Sequence, residues 1–218
     1  MKPLDGNAVR TQRTRSRILA QALGLFNAGG EGNVTTGAIA ESLGMSPGNL
    51  YYHFSNKDEI VAELLRAFEA RMDLEPDLAL DAPSAIEDLW LYLHLTLEAI
   101  WEFRFIYRNL DDLAARDRRL RERFNRIAER KFHGVVALCE GLVRVKAMRA
   151  TGEEIRTLAR NVLVVATYWL NFESLRGRAA AEEIDLGRGA HQVMSLVAPY
   201  LLGDARRHLD RLARNYIE

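Results

Sequence analysis

An all-α chain in two parts, a small head and a larger helical body, follows from three features of the 218-residue sequence. Apolar residues recur at one-face helical spacing nearly from end to end. No run rich in β-branched residues alternates with period two, and no Asn-Gly or Asp-Gly hairpin joins such runs. Capping and stop residues stand where the helical periodicity starts and ends. Composition agrees, because 48% hydrophobic residues can bury a core and argue against disorder. The single cysteine, Cys139, excludes an intramolecular disulfide framework and a Cys-rich zinc site. The longest uncharged apolar-rich run, Asn161 to Phe172, has twelve residues. A membrane span needs about 20, so this run reads as a buried helix and no membrane partner is expected. Met1 to Arg17 is polar and basic without a secretory-type apolar stretch, so the expected location is cytoplasmic.

The elements follow in order. Ile18, Leu19, Ala22, Leu25 and Phe26 share one helical face, and Gly29-Gly30 stops that helix. Three short helical pieces lead to a helix from about Lys57 to Met72, with Ile60, Val61, Leu64, Leu65 and Phe68 inward. Residues 73–83, with Pro76 and Pro83, read as a connection. Ser84 is expected to cap a helix reaching about Glu102, and a break near Phe103–Phe105 precedes a shorter helix to about Ala115. A very charged helix follows from about Arg116 to Val145. Thr151-Gly152-Glu153-Glu154 is a capping box that opens a helix over 152–175. A small-residue and charged stretch, Arg176 to Asp185, precedes a helix over about 187–202. Asp204 is placed to cap a last helix carrying Leu209, Leu212, Ala213 and Tyr216. The expected division is a head over residues 1–56 and a body over 57–218, coupled by the helix from Lys57.

The informative stretch runs from Thr35 to Phe54. Thr36 is positioned to cap a short helix with Ile39, Ala40 and Leu43 inside, Ala40 being small where a second helix crosses. Gly44 ends it, where a left-handed backbone is cheap only for glycine. Ser46 caps the next helix and Pro47 takes its first position, where a missing N–H costs nothing. Leu50 and Phe54 pin this helix beneath, leaving Pro47, Gly48, Asn49, Tyr51, Tyr52 and His53 outward. The result is a helix-turn-helix. A helical hairpin with a tight glycine turn also suits any all-α protein. Ala40, Gly44 and Leu50 at positions 5, 9 and 15 of the twenty residues from Thr36, a basic amphipathic helix before them and the tail Tyr51 to Lys57 favour a DNA-reading one. Net charge is zero, but residues 1–57 hold six basic and three acidic side chains, giving +3 against −3 for the rest. That imbalance fits a polyanion partner for the head, although it is also within ordinary fluctuation.

The stretch from Arg17 to Leu65 resembles the N-terminal domain of the TetR (tetracycline-repressor-like) family of bacterial transcriptional regulators. Ile18-Leu19-x-x-Ala22-x-x-Leu25-Phe26, Thr35-Thr36-x-x-Ile39-Ala40-x-x-Leu43-Gly44-Met45-Ser46 and Leu50-Tyr51-Tyr52-His53-Phe54-x-Asn56-Lys57-x-Glu59 carry the resemblance. It implies a three-helix helix-turn-helix head, an all-helical ligand-binding and dimerisation body, and a homodimeric repressor. A small molecule would release that repressor from a palindromic operator in double-stranded DNA. The alternative is a regulator of the same fold with no small-molecule ligand, acting as activator or constitutive repressor. No cofactor and no metal are implied. By resemblance, Thr36, Tyr51, His53 and Lys57 match positions that hold DNA phosphates, contacts that set register rather than sequence. Pro47, Gly48, Asn49 and Tyr52 match base-facing positions, and Asn49 can bond an adenine edge bidentately. Gly37 departs from relatives with longer polar side chains there, so only its backbone can reach DNA. Two readings stand for Arg10, Arg13, Arg15 and Arg17: contact with backbone or minor groove, or a solvated, partly disordered leader.

In the body, a small apolar or aromatic effector is the implied ligand. Trp90, His94 and Trp101 lie along one stripe with Leu93, Leu97 and Ile100, and Tyr107, Tyr168, Asn171 and Phe172 are further candidates. Core packing competes for each aromatic singly, and a buried carbonyl competes for His94. Dimerisation by resemblance falls to the helices near 152–175 and 187–202. There Val162, Val165, Trp169, Val193, Met194, Val197 and Leu201 exceed what one core face needs. Two-fold symmetry would then set the reading helices about 34–36 Å apart or somewhat more. The arginine run from Arg116 to Arg130 is interleaved with Asp117, Glu122 and Glu129 and reads as a solvated face. No enzyme is expected: there is no Gly-x-Ser-x-Gly, phosphate-cradling glycine loop or His-Glu-x-x-His, and Cys139 stands mid-helix beside Leu138 and Leu142.

Overall fold

The basic leader is helical. A computed structural model describes residues 6–73, 82–176 and 186–214, and in it α1 runs Gly6–Gly29 without interruption. It continues the amphipathic pattern backwards from Ile18, so Arg10, Arg13, Arg15 and Arg17 stand on a helix and not on a disordered arm. After a 3-10 turn at Glu31–Asn33 come α2 (Thr36–Ser42), α3 (Pro47–His53) and α4 (Lys57–Met72). Then follow α5 (Ala82–Glu102), α6 (Arg104–Arg108), α7 (Leu110–Arg116), α8 (Arg118–Arg144), α9 (Gly152–Leu175), α10 (Leu186–Val197) and α11 (Gly203–Arg214). Among the described residues there is no strand, only an isolated bridge between Met148 and Leu201.

Four boundaries differ from the sequence expectation. Thr35, not Thr36, caps α2, its hydroxyl accepting the Ala38 N–H at 3.1 Å, because Thr35 is the residue with extended backbone. Helix α5 starts at Ala82, which leaves Ser84 inside its first turn. Helix α10 stops at Val197, where Pro199 tightens the chain into a 3-10 turn before Leu201. The turn is fixed by Leu202 N–H donating to the Ala147 carbonyl at 2.8 Å and Arg149 N–H donating to that of Tyr200 at 2.9 Å. Asp204 lies within the first turn of α11 and pairs with Arg207. The expected connection through Pro76, the stretch after Arg176 and Tyr216 lie outside the described residues.

The chain packs into two units, residues 1–70 with 103–120, and residues 71–102 with 121–218. The first extends beyond the sequence boundary at residue 56, because α4 and the segment carrying α6 and α7 share its core. Ile18, Ala22, Phe26, Ile39, Ala40, Leu50, Phe54, Ile60 and Phe68 are fully buried there. The Phe26 ring meets Phe105 at 5.3 Å, and Phe68 meets Phe103 at 5.6 Å and Tyr107 at 5.8 Å. Asn27, itself buried, accepts the Phe105 N–H at 3.0 Å through its side chain and an Arg108 N–H at 3.0 Å through its carbonyl.

In the second unit the inner faces of α5, α8, α9, α10 and α11 enclose Leu97, Ile100, Ile127, Leu142, Leu158, Leu170, Met194 and Leu209. The capping box of α9 is present, with Thr151 N–H donating to Glu154 at 2.7 Å and Glu154 N–H to the Thr151 hydroxyl at 3.3 Å. Helix α10 lies so close to α9 at Gly189 that a Cβ there would stand 2.7 Å from the Trp169 ring. Cys139 is fully buried and its thiol is pushed up to about 12 by that burial, which suits a small core residue and not a nucleophile.

Candidate nucleic-acid interface

The short helix α3 owes its orientation to local chemistry on both sides. Ser46 accepts the Asn49 N–H at 3.2 Å and Pro47 occupies the first turn. The turn before it needs a left-handed residue, supplied by Gly44 at φ 63°. Beneath, Leu50 and Phe54 are wholly buried against α1 and α2. The opposite face leaves Pro47, Gly48 and Asn49 exposed, with Tyr51 at 51% and Tyr52 at 78% of full exposure. Such exposure of two tyrosines on one helix turn is unfavourable in water alone and is what a surface for another molecule looks like.

The expected phosphate-holding residues divide into two groups. The Thr36 and Tyr51 hydroxyls are 3.1 Å apart, so the tyrosine is oriented across the two helices by a partner that is itself a candidate contact. His53 is half-buried, its ring edge-on to Tyr52 at 5.1 Å. Gly37 is exposed at the start of α2. Lys57 behaves differently. Its ammonium reaches the carbonyls of Glu31 at 3.0 Å and Val34 at 3.2 Å, and the Glu31 carboxylate at 3.0 Å. Of the three donors of an ammonium, two are taken by these carbonyls, and the Glu31 carboxylate stands beside it as an ion pair. Arg116 joins the same buried carboxylate at 3.1 Å, and this hydrogen bond raises its guanidinium pKa further above the ordinary range. Lys57 therefore clamps the turn after α1 to α4, and the structure gives it an inward task that the resemblance did not imply.

The leader arginines also divide. Arg15 lies over the Phe54 ring at 4.1 Å, bonds the His53 carbonyl, and pairs with Glu63 at 3.1 Å and Glu59 at 3.6 Å. It rivets α1 to the end of α3 and to α4. Arg10 instead lines a polar cleft of about 260 Å³ with Thr11, Thr14, Asn49, Tyr52 and His53. Thr11 and Thr14 were missed from the sequence. Their signal, a spacing that joins Arg10 on one face, becomes readable only once the leader is treated as helix.

The body residues expected to hold an effector fall in both packing units and differ in burial. Trp90 and His94 stack with rings 5.1 Å apart, and His94 reaches Glu98 at 3.2 Å. Tyr107 is buried in the first unit, where burial drives its hydroxyl pKa well above the ordinary range. Trp101 and Asn171 are half-buried, and Tyr168 and Phe172 are exposed. A cavity of about 40 Å³ in the second unit is lined by Leu89, Tyr92, Leu93, Thr96, Lys131 and Val135, with Val162, Leu163, Ala166, Val193 and Val197. Three expected dimer residues, Val162, Val193 and Val197, thus face this cavity, and Trp169, Met194 and Leu201 are likewise buried within the protomer. Val165 is half-buried. The face of α9 left exposed carries Val164, Tyr168, Phe172 and Leu175.

This arrangement of capped helices, glycine turn and outward tyrosines is matched by two family models. Residues 18–64 match the bacterial regulatory proteins of the tetR family, and residues 67–209 match the bacterial transcriptional repressor domain. The chain belongs to the TetR family of bacterial transcriptional regulators. A TetR-family regulator from Marinobacter aquaeolei is 33% identical, covering 93% of this chain and 98% of that one, with a TM-score of 0.81. The transcriptional regulator SrpR of Pseudomonas putida is 34% identical over 34% of this chain and 36% of its own length. A regulator from Saccharomonospora viridis, solved in complex with choline, shares the fold at 19% identity, with coverage of 88% and 99% and a TM-score of 0.66. The TetR members are regulators, so this chain is not an enzyme. Among its described residues no helix is long and apolar enough to cross a membrane.

Proposed function

We propose that this TetR-family chain is a cytoplasmic homodimeric repressor that holds a palindromic operator and is released from it by a small apolar or aromatic molecule. The observation that carries the DNA-reading part is α3 itself, buried on Leu50 and Phe54 with Asn49, Tyr51 and Tyr52 facing outward. Asn49 reads an adenine edge, while Thr36, Tyr51, Arg10 and the hydroxyls of Thr11 and Thr14 hold phosphates. A second copy of the chain covers the exposed α9 face, since Val164, Tyr168, Phe172 and Leu175 repeat at three- and four-residue spacing, a self-complementary stripe.

Release needs a route from body to head. Two of the four cavity walls, α5 and α8, are joined along the chain by residues 103–120, which pack in the head unit. A ligand that parts α5 from α8 therefore pulls on the segment that holds Asn27 and Glu31. One observation favours a regulator without effector: the cavity volume of about 40 Å³ is far below that of a pocket for a drug-sized ligand, about 300 Å³. The experiment is selection from a random duplex library, with recovered sequences titrated against Asn49→Ala and Tyr51→Phe. An inverted repeat should be enriched. Asn49→Ala should relax preference at one position per half-site, and Tyr51→Phe should weaken all sequences alike. Recovery of no symmetric sequence, or equal loss on every sequence with Asn49→Ala, refutes the reading.

A further inference from the structure

We infer that Arg15 is a positioning residue for DNA reading: from α1, its guanidinium fixes the direction in which α3 points. This rests on the reading of α3 as the helix that meets DNA. Helix α3 has seven residues, Pro47–His53. A helix that short is not stable alone and takes its direction from what holds it. At its start the hold is local, the Ser46 hydroxyl accepting the Asn49 N–H at 3.2 Å. Beneath it lie the buried Leu50 and Phe54. At its end the hold comes from another helix. Arg15 donates an N–H to the carbonyl of His53, the last residue of α3, and lies 4.1 Å over the centre of the Phe54 ring. A cation on a terminal carbonyl also complements the negative end of a helix.

Helix α4 fastens Arg15 from the other side. Its second terminal nitrogen donates to Glu63 at 3.1 Å and stands 3.6 Å from Glu59. Glu59 in turn accepts the Ser55 N–H at 2.8 Å and donates its own N–H to the Asn56 side chain at 2.8 Å, so the same residue closes the junction between α3 and α4. A planar fork can serve a ring face, a carbonyl and a carboxylate at once, which an ammonium cannot. The Arg15 side chain is 26% exposed and committed to these partners, so it acts on DNA through α3. His53, whose carbonyl it holds, meets the Tyr52 ring edge-on at 5.1 Å, and Tyr52 stands on the outward face. A helix of this length spans about 10 Å, so a tilt of about 10° about its start shifts its far end by about 2 Å. Such a shift takes a hydrogen bond made from Tyr51 or Tyr52 out of reach.

The test uses the full-length protein with Arg15→Gln and Glu63→Gln, at a temperature where circular dichroism shows each folded. Anisotropy compares the selected inverted repeat with an unrelated duplex across salt concentrations. Arg15→Gln should lower affinity for the repeat about tenfold or more and leave the unrelated duplex and both salt slopes unchanged. Glu63→Gln should cost less, because Glu59 remains, and should cost nothing further in the Arg15→Gln background. Without DNA, amide exchange at Tyr51, Tyr52 and His53 should quicken in Arg15→Gln while that of α9 stays as it was. An unchanged ratio of the two affinities, additive losses from the two substitutions, or unchanged exchange in α3 overturns the inference. So does a salt slope flatter by about 1 per head with both duplexes weakened, since Arg15 then holds a phosphate. Should Arg15→Gln fold poorly, Glu63→Gln carries the same comparison of duplexes and must show its smaller loss. Quickened exchange in a protein that prefers no duplex refutes DNA reading by α3 and leaves the hold of Arg15 on that helix standing.

Discussion

Replacing Gly189 by alanine tests how closely α10 lies on α9. In a helix interior this substitution ordinarily stabilises by about 1 kcal/mol, because alanine loses less backbone entropy. At Gly189 the new Cβ would stand 2.7, 2.8 and 3.1 Å from Cε2, Cζ2 and Cδ2 of Trp169. Ordinary carbon contacts lie near 3.5–4.0 Å, so the helices must part by most of an ångström. Trp169 is only 5% exposed and cannot swing into solvent. Overpacking of this kind costs about 1–3 kcal/mol, which exceeds or cancels the propensity gain. Gly24 is the control. It lies well inside α1, and a Cβ added there would meet nothing within 4 Å, so Gly24→Ala should show the full gain. Urea unfolding at fixed protomer concentration should separate the two variants by about 1–3 kcal/mol, with Gly24→Ala above the parent. Trp169→Phe removes the atoms that clash, and in that background Gly189→Ala should recover much of its loss. Equal stabilisation by both alanines refutes the close approach.

Lys57→Met should destabilise the head by about 2 kcal/mol, since it leaves the buried Glu31 carboxylate to Arg116 alone. The salt slope of DNA binding should stay unchanged in the folded variant. A slope flatter by about 1 per head with stability intact shows instead that Lys57 holds a phosphate. Glu59, which accepts the Ser55 N–H at 2.8 Å, has its carboxyl pKa held below 4.5 mainly by that bond. Its stabilisation is complete above 4.5 and is lost as pH falls through the lower folded value, so Glu59→Gln should flatten that acid limb of an unfolding-versus-pH curve. An unchanged limb refutes the assignment. Tyr168→Glu with Leu175→Glu places charge on the exposed α9 face. Light scattering should then report monomers that bind a half-site weakly, with helical content unaltered; a persistent dimer moves the interface elsewhere.

Much of the head was legible as sequence because its signals are local. Ser46, Pro47 and Gly44 each satisfy or relieve one backbone group within a turn, and the structure uses them that way. The spans of α4 and α9 were legible for the same reason, their apolar periodicity ending at caps and breakers. The cap on α2 slipped by one residue because Thr35 and Thr36 are chemically alike, and only the backbone conformation of Thr35 separates them. The candidate DNA face could be listed but not sorted. Nothing in the spacing of Lys57 or Arg15 reveals that Glu31, Val34, His53 and Glu63 stand within reach.

What the amino-acid order determined by itself was most of the helices, the caps at Ser46 and Thr151, the glycine turn and which face of each helix is apolar, all consequences of interactions within about four residues. What only tertiary structure decided was which apolar face meets which. Val162, Val193 and Val197 line a cavity within the protomer, and Lys131 is buried in its wall, because α5, α8, α9 and α10 converge there. Periodicity measures how much of a helix is apolar. It carries no information about whether a neighbouring helix, a second protomer or a ligand covers it, since the hydrophobic effect is non-directional and rewards each alike.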